Sequence, residues 1–289
     1  MRIAFQGETG AYSEEAAAAF YPDADMVPYP EFDHVFEALS SGECDRAVVP
    51  IENSLHGSVH RNYDLLREHD VTIVAEGKLR IRHQLLGLAR ASLSDITTVY
   101  SHPQALGQCR DFLKKSLPQA RVTPAYDTAG AARDVSREGN PAHAAIASRR
   151  AAHEYALTVL AENIESNTLN FTRFLALSGR DEPSLLGLAP DTTTGPPKTS
   201  LLFAQSENVP GSLFKSLAVF ALRDIDLLKI ESRPLVGSPG KYIFHLDLAG
   251  HAETEAVMNA LRHLEEIAAY VTVLGSYVEG PTWDSRPGG

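Results

Sequence analysis

The sequence predicts an α/β domain followed by a smaller C-terminal βαββαβ unit. From Met1 to about Ser178, short apolar runs alternate with segments of helical periodicity, which is typical of an α/β domain. Residues 181–198 are rich in Pro, Gly, Thr and Asp and show no sustained periodicity, which predicts a linker. We therefore expect a first domain over 1–180, a second over 199–280, and a polar tail over 281–289 that frays.

Seven strands are predicted in the first domain, each from a short apolar run. They are Ile3–Phe5, Ala47–Val49, Ile73–Ala75, Thr97–Tyr100, Val122–Pro124, Ala144–Ala147 and Phe171–Leu177. Ser13 is placed to cap a helix through Ala16–Phe20, with Glu14 and Glu15 in its positively polarised first turn. A helix over Pro103–Leu117 begins with proline at a first-turn position and ends before the next proline.

The second unit has the element order of a ferredoxin-like split βαβ fold, in which two helices cover one face of an antiparallel sheet. In chain order, strands and helices are predicted over Thr199–Ala204, Gly211–Leu222, Leu227–Arg233, Tyr242–Leu248, Thr254–Ala268 and Tyr270–Tyr277. The first helix is indicated by Leu213, Leu217 and Phe220, which recur at i, i+4 and i+7.

The composition disfavours several classes of function. Lys and Arg number 26 against 37 Asp and Glu, and the net charge of −11 repels phosphate backbones and anionic lipid, so neither nucleic-acid nor membrane binding is expected. Cys44 and Cys109 are too few for a disulfide framework, and no HExxH motif is present, so no metal site is expected. Met1 leads directly into the first strand without an apolar leader, which predicts a cytosolic protein.

Four polar segments stand where α/β folds place ligand loops. FQGETGAYS (5–13) puts two glycines near a helix N-terminus, where backbone N–H groups can bind an anion. The segment lacks the GxGxxG pattern of dinucleotide sites, so no cofactor is expected. PIENSLHGSV (50–59) gathers a carboxylate, an amide, hydroxyls and an imidazole, and SHPQALGQC (101–109) begins with candidate helix caps. NFTRF (170–174) holds a threonine and an arginine between two phenylalanines. Taken singly, each segment is also explained as a turn, a cap or a strand end.

Taken together and in this order, the four segments resemble the motifs of prephenate dehydratase. The second unit resembles an ACT domain through NVPGSLFKSLAVF (208–220) and KIESRP (229–234), although it has Gly-Ser-Leu where the family usually has Gly-Ala-Leu. No chorismate mutase segment precedes Met1, so the monofunctional form is expected.

The resemblance implies a two-lobed, periplasmic-binding-protein-like catalytic domain with a C-terminal ACT regulatory domain. Lobe 1 is expected over about 1–75 and 160–180, and lobe 2 over about 76–159. The chain should cross between the lobes near Val71–Lys78 and again near Leu157–Asn163, which brings Thr172 back to the cleft beside the Asn53 loop.

The resemblance further implies decarboxylating dehydration of prephenate to phenylpyruvate in phenylalanine biosynthesis, without a cofactor. Thr172 is the implied catalytic residue, and because its hydroxyl is a weak acid it would hydrogen-bond the leaving hydroxyl or relay a proton. Arg173 could bind a substrate carboxylate or point away, because neighbours on a strand face opposite sides. The other implied substrate-binding residues are Ser13, Asn53, Ser54, Gly57, Ser58, Gln104, Asn170 and Phe174.

For the second unit, the resemblance implies feedback inhibition by L-phenylalanine bound between ACT domains of a symmetric homodimer or homotetramer. The implied effector-binding residues are Asn208, Gly211, Ser212, Leu213, Glu231, Ser232, Arg233 and Pro234. An ACT fold that only dimerises is the alternative.

Two other functions stay open at this point. Arogenate dehydratase performs the same chemistry on a substrate with an amino group in place of the keto group, and turnover of the two substrates would distinguish them. A non-catalytic amino-acid sensor built from a two-lobed binding domain and an ACT module would bind a ligand reversibly and form no product.

Overall fold

The structure, a computed structural model, describes residues 1–179, 195–235 and 237–284. The strands are β1 Arg2–Gln6, β2 Asp25–Tyr29, β3 Arg46–Asn53, β4 Gly57–Ser58, β5 Val71–Arg80, β6 Gln84–Gly87, β7 Thr98–Ser101, β8 Arg121–Pro124, β9 His143–Ala147, β10 Thr158–Ala161, β11 Phe171–Gly179, β12 Pro197–Gln205, β13 Leu227–Pro234, β14 Tyr242–Ala249, β15 Ala268–Val278 and β16 Thr282–Trp283. The helices are α1 Tyr12–Phe20, α2 Phe32–Ser40, α3 His60–Glu68, α4 Pro103–Gln108, α5 Arg110–Ser116, α6 Thr128–Glu138, α7 Arg149–Glu154, α8 Ser212–Ala221 and α9 Glu255–Ile267. Most of the predicted linker lies outside the described residues.

The chain packs as two units. The first contains Met1–Val59, Lys78–Phe174 and the residues from Thr282 onward, and the second contains His60–Gly77 and Leu175–Pro281. The sequence had assigned 60–77 to the first domain. Contacts of 60–77 within the second unit include the ion pairs of Asp64 with Arg233 and of Glu76 with Lys198.

Two sheets form the framework of the first unit, and they correspond to the predicted lobes. The first sheet has the order β16-β5-β11-β3-β1-β2, with β4 beside β3, and β1 runs parallel to both β2 and β3. The second sheet has the order β10-β6-β9-β7-β8, with β7 parallel to its two neighbours and β6 antiparallel to its own. Packed alanines and Phe5 join elements of both sheets in one apolar cluster.

The chain passes from the first sheet to the second at residues 81–83, between β5 and β6, and returns at 162–170, between β10 and β11. The predicted first crossing at Val71–Lys78 is therefore wrong, because β5 remains in the first sheet as far as Arg80. The predicted second crossing at Leu157–Asn163 is too early, since Thr158–Ala161 is still a strand of the second sheet.

The turn before α1 connects the two lobes. Gly10 has φ of +89°, and a Cβ built there would lie 2.8 Å from Cα of Ala151, so only glycine permits this close approach. The Ser148 Oγ donates to the Gly10 carbonyl over 2.6 Å. The predicted cap at Ser13 is wrong, because the helix begins at Tyr12 and the N-cap residue is Ala11, two residues earlier. The Glu14 carboxylate takes over part of the capping and accepts the Gly10 N–H at 2.5 Å.

The helix predicted over Pro103–Leu117 is divided into α4 and α5 at Cys109, whose backbone leaves helical geometry. The break lies two residues after Gly107, which has the poorest helix propensity in the segment after the first-turn Pro103. His102 is the N-cap residue, and its Nδ1 accepts the Gln104 N–H at 3.3 Å.

The C-terminal part of the second unit has the predicted ferredoxin-like fold. Its sheet has the order β13-β14-β12-β15 with antiparallel pairs throughout, and α8 and α9 pack on it through an apolar core. The predicted fraying of 281–289 is wrong for β16, which pairs with Lys78 and Leu79 of β5. The Trp283 ring packs edge-on against Phe20 with centroids 4.7 Å apart, which fixes this strand. Residues 285–289 of the predicted tail are outside the described part.

Candidate active site

A cavity of about 510 Å³ lies in the first unit and is lined by residues of both lobes. Its volume is that of a small-molecule site. Most of the predicted substrate-binding residues line it: Ser13, Asn53, Gly57, Ser58, Gln104, Thr172 and Phe174. Three predicted residues, Ser54, Asn170 and Arg173, do not.

Thr172 is held by an amide at the cavity wall. It lies near the start of β11, is 9% exposed, and its Oγ1 accepts a hydrogen bond of 2.9 Å from Nδ2 of Asn53 at the end of β3. The Asn53 Oδ1 is fixed in turn by the backbone N–H groups of Leu55 and His56, at 3.0 and 3.1 Å. Asn53 is the only hydrogen-bond partner of the Thr172 side chain among the described residues. Since Asn53 donates, the Thr172 proton is free to point into the cavity.

Asn170 and Ser54, which do not line the cavity, hold Asn53 and Thr172 in position. The Asn170 Oδ1 accepts the other Asn53 Nδ2 proton at 2.8 Å, and Asn170 is fully buried. The Ser54 Oγ donates to the Leu169 carbonyl at 2.8 Å and accepts the Phe171 N–H at 3.0 Å. Both residues therefore tie the 53–58 loop to the start of β11.

Gln108, which the sequence analysis did not select, joins this pair to a chain of polar side chains. Its Oε1 accepts Nδ2 of Asn170 at 3.0 Å and contacts Nε2 of His83 at 2.5 Å, while its Nε2 contacts Nε2 of His56 at 2.7 Å. The Tyr12 hydroxyl lies 2.8 Å from Nδ1 of His83. Gln108, His83, His56 and Tyr12 all line the cavity.

The protonation states in this chain follow from burial. Burial lowers the pKa of His83 to about 4, so the ring is neutral at pH 7 and carries one proton. Because Gln108 Oε1 is an acceptor, that proton is on Nε2. The Tyr12 hydroxyl has a single proton and two partners, Nδ1 of His83 and the Arg82 carbonyl, which lies 2.7 Å away. Burial holds the pKa of Tyr12 well above its ordinary value, so the hydroxyl keeps its proton. The Gln108 amide then donates to His56, whose Nε2 is the acceptor.

Arg173 lies on the opposite face of β11 from the cavity. Thr172 and Phe174 line the cavity, whereas Arg173 does not, as the two-residue period of a strand requires. Its predicted role in substrate binding is thus not supported by its position. The side chain has interactions of its own elsewhere.

Neutral donors dominate the electrostatics of the cavity. Among its described lining residues there is no Lys or Arg, and Asp127 is the one acidic residue. Burial lowers the pKa of His102 as well, so this imidazole is also neutral at pH 7. Ser13 in the first turn of α1 and Thr128 at the start of α6 place hydroxyls at positively polarised helix ends. Carboxylates in this cavity would be bound by hydroxyl, amide and N–H donors.

The predicted effector residues lie on two elements of the second unit. Gly211, with φ of +83°, is the N-cap residue of α8, and the Ser212 Oγ donates to Oε1 of Gln205 at 3.0 Å. Asn208 Nδ2 donates to the Gly240 carbonyl at 2.8 Å. On β13, Arg233 forms a two-pronged pair with Asp64, at 3.1 and 2.7 Å, so its guanidinium is already occupied.

No group of three or more His, Cys, Asp or Glu suited to a metal ion occurs in the described part of the chain. His56 and His60 stand four residues apart, but β4 separates them, so they do not share a helical face. None of the described helices has the length and apolar character needed to cross a membrane.

Two α/β lobes, a cavity of ligand size and an amide-held threonine hydroxyl are the features of a two-lobed α/β enzyme, and the C-terminal unit has a ferredoxin-like fold. The family model for prephenate dehydratase matches residues 3–182. The chain belongs to the prephenate dehydratase family and is a carbon–oxygen lyase, which sets aside the sensor alternative.

Relatives agree with this assignment over nearly the whole chain. Arogenate dehydratase/prephenate dehydratase 2 of Arabidopsis thaliana is 47% identical over 96% of this chain and 72% of its own length. The prephenate dehydratase of Arthrobacter aurescens in complex with L-Phe has a TM-score of 0.87 and 34% identity, covering 96% of this chain and 90% of its own. GqqA, described as a novel type of quorum quenching acylase, has the same TM-score at 33% identity, covering 97% and 98%.

The predicted cytosolic location is contradicted by these comparisons. Several relatives, including arogenate dehydratase/prephenate dehydratase 1 of Arabidopsis thaliana, are chloroplastic proteins. The prediction depended on the residues before the first strand. The sequence of a folded domain does not itself reveal the compartment to which a targeting segment directs it.

Proposed function

We propose that this chain dehydrates and decarboxylates prephenate, with Thr172 hydrogen-bonding the departing ring hydroxyl. The supporting observation is the bond from Asn53 Nδ2 to Thr172 Oγ1, which uses an acceptor site of the hydroxyl and leaves its proton for a ligand. An O–H directed at the position where negative charge develops stabilises the transition state more than the ground state.

The bond changes define what the site must do. The ring carbon–carboxylate bond breaks to release CO2, its electron pair moves through the ring, and the carbon–oxygen bond breaks at the far end of the ring. The departing hydroxide then takes up one proton to form water. The Thr172 O–H lowers the charge on that oxygen, and the rigid amide chain through Asn53 and Asn170 keeps the hydroxyl in place.

The acylase activity described for GqqA is less well supported here. An acyl-transfer nucleophile needs a general base in contact with its hydroxyl. The Thr172 hydroxyl contacts an amide, and no imidazole or carboxylate is bonded to it among the described residues.

Turnover of prephenate by Thr172→Val and Thr172→Ser tests the proposal. Valine keeps the shape and removes the hydroxyl, and kcat should fall roughly 100- to 1,000-fold, as for loss of one donor to a developing oxyanion. Serine keeps the hydroxyl and should retain most of the activity. Phenylpyruvate is followed by its absorbance in alkali. A valine variant as active as the wild type would remove this mechanism.

We also propose that L-phenylalanine inhibits the enzyme through the ACT unit, and that the protein is a symmetric oligomer joined there. Support comes from the L-Phe complex of the Arthrobacter aurescens relative and from the Gly211 helix start. The edge strand β13 also exposes Leu228 (48%) and Ile230 (45%), which suits self-association. Sedimentation with and without L-phenylalanine tests this, and a monomer with full phenylalanine affinity would contradict it.

A further inference from the structure

In the carboxylate of Asp127, the acidic residue of the cavity, one oxygen accepts a hydrogen bond and the other does not among the described residues. Asp127 is the N-cap residue of α6, and its Oδ1 accepts the Gly130 N–H. Its Oδ2 has no hydrogen-bond partner among the described residues. The neighbouring cation Arg133 does not supply one, because it pairs with Glu8 and Asp134.

The surroundings of this carboxylate favour a cationic partner. Asp127 is half-buried at the cavity wall, and burial raises its pKa above the ordinary value. A carboxylate that has lost part of its hydration, and whose nearest cation Arg133 is paired with other acids, gains most from a group that brings positive charge and N–H donors.

Asp127 and Thr172 line the same cavity but belong to different lobes, and the substrate also has two distinct ends. In prephenate and in arogenate the leaving hydroxyl and the three-carbon side chain lie at opposite ends of the ring. That side chain carries a keto oxygen in prephenate and an ammonium group in arogenate. Thr172 belongs to β11 of the first sheet, whereas Asp127 follows β8 of the second sheet, so the two approach the cavity from different lobes.

We infer that Asp127 is a specificity-determining residue that binds the ammonium group of arogenate. An ammonium group donates a charge-assisted hydrogen bond to a carboxylate, whereas a keto oxygen offers no donor and is repelled. The absence of Lys and Arg from the described lining acts in the same direction, because arogenate carries one negative charge fewer than prephenate. The inference depends on the proposed dehydratase function.

The Asp127→Asn variant removes the negative charge and keeps the helix cap, because asparagine caps a helix about as well as aspartate. We expect kcat/KM for arogenate to fall roughly 10- to 100-fold, which is the worth of a hydrogen bond to a charged group. The value for prephenate should stay within about threefold or rise, because a repulsive charge is removed. Asp127→Ser, which also keeps a capping oxygen, should show the same shift if the asparagine variant folds poorly.

The matched control is Asp134→Asn, which removes the same charge from an exposed position on the same helix. It should leave kcat/KM unchanged for both substrates. An equal loss for both substrates in the Asp127 variants, no change for either, or a wild-type enzyme inactive on arogenate would overturn the inference. The Thr172→Val variant distinguishes failure of this inference from failure of the proposed function. If that variant stays fully active the dehydratase mechanism fails, whereas its inactivity together with an unshifted Asp127→Asn refutes only the role of Asp127.

Discussion

Gln108 orients the side chains of Asn170 and His83 through hydrogen bonds. Its Oε1 is the acceptor for both Asn170 and His83, and through Asn170 it fixes Asn53 and so Thr172. Leucine at this position would leave two buried donors without an acceptor, each costing about 1–3 kcal/mol or a shift in position. We expect Gln108→Leu to lower kcat for prephenate at least tenfold with a smaller change in KM.

Gln108→Glu distinguishes positioning from simple destabilisation. A carboxylate still accepts from Asn170 and His83, so kcat should partly recover. It also adds a negative charge to a cavity that holds a dianion, so KM should rise. Steady-state kinetics of the three proteins gives the result, and a kcat equally low in both variants would refute the positioning role.

His245 on β14 should make the protein sensitive to acid. Burial lowers its pKa to about 4, its Nδ1 has no hydrogen-bond partner in the part of the chain that the structure describes, and the Tyr63 ring packs against it at 4.9 Å between centroids. Between about pH 6.5 and pH 4 the unfolded state binds a proton that the native state does not, so stability is full above pH 6.5 and falls as the pH drops through this window.

The expected loss is of order 3 kcal/mol for complete passage through that window. His245→Phe removes the titrating group at no cost in hydrogen bonds, so the difference in free energy of unfolding between pH 8 and pH 5 should shrink. Urea unfolding at the two pH values measures it. A difference as large in the variant as in the wild type would show that other groups, such as His83, account for the acid sensitivity.

The sequence could predict the residues of the site that lie inside its four polar segments, and little beyond them. Asn53 and Thr172 are in such segments, and the bond between them is the proximity that was expected. His83 and Asp127 lie outside all four and reach the cavity only through the meeting of two sheets, which no local pattern records. Gln108 lies inside SHPQALGQC, where its position at a helix end gave no separate signal.

At the scale of elements, α3 is joined to the 53–59 loop by the chain and to β13 by an ion pair. It begins directly after the 53–59 loop, and within the second unit Asp64 of α3 pairs with Arg233 of β13. The pair is partly exposed, so its contribution to stability is small. Its position suits it to pass a change at β13 to the loop that holds Thr172.

We therefore expect Asp64→Asn to raise the L-phenylalanine concentration for half-inhibition roughly 5- to 10-fold, a coupling of ordinary size, with little change in uninhibited activity. Glu68→Gln is the matched control, since this acidic residue of the same helix pairs only within α3 in the contacts described here. Inhibition curves of the three proteins decide the matter. An unchanged half-inhibition point in Asp64→Asn would exclude this route.

Among the strands that the sequence analysis missed, β2, β6 and β10 have only four or five residues each. The strand β2, DMVPY, contains a proline that argues against a strand, and it is tolerated because β2 is at the sheet edge. The strands β6 and β10 have four residues each, too short to show a period. Their existence depends on partners elsewhere in the chain.

For the whole molecule, the order of strands departs from the order of the sequence. In the first sheet β11 lies between β5 and β3, and β16 closes the edge beside β5. These pairings join residues as far apart in the chain as Lys78 and Thr282, and local propensity does not determine them. The sequence therefore indicated the class of fold, while the path of the chain between the sheets and the return of its C-terminal segment required the structure.

The return of β16 gives the last prediction. Trp283 covers Phe20 at the edge of the first sheet, and Asp284 forms an ion pair of 2.6 Å with Arg82. Trp283→Ala should lower the free energy of unfolding by about 1–3 kcal/mol, through lost apolar burial and the ring contact. Trp283→Phe keeps a ring edge and should lose less than half as much. Because Trp283 is the chain's sole tryptophan, unfolding is followed by far-UV circular dichroism in urea. Equal midpoints for the alanine variant and the wild type would mean that the C-terminal strand does not hold the sheet edge in solution.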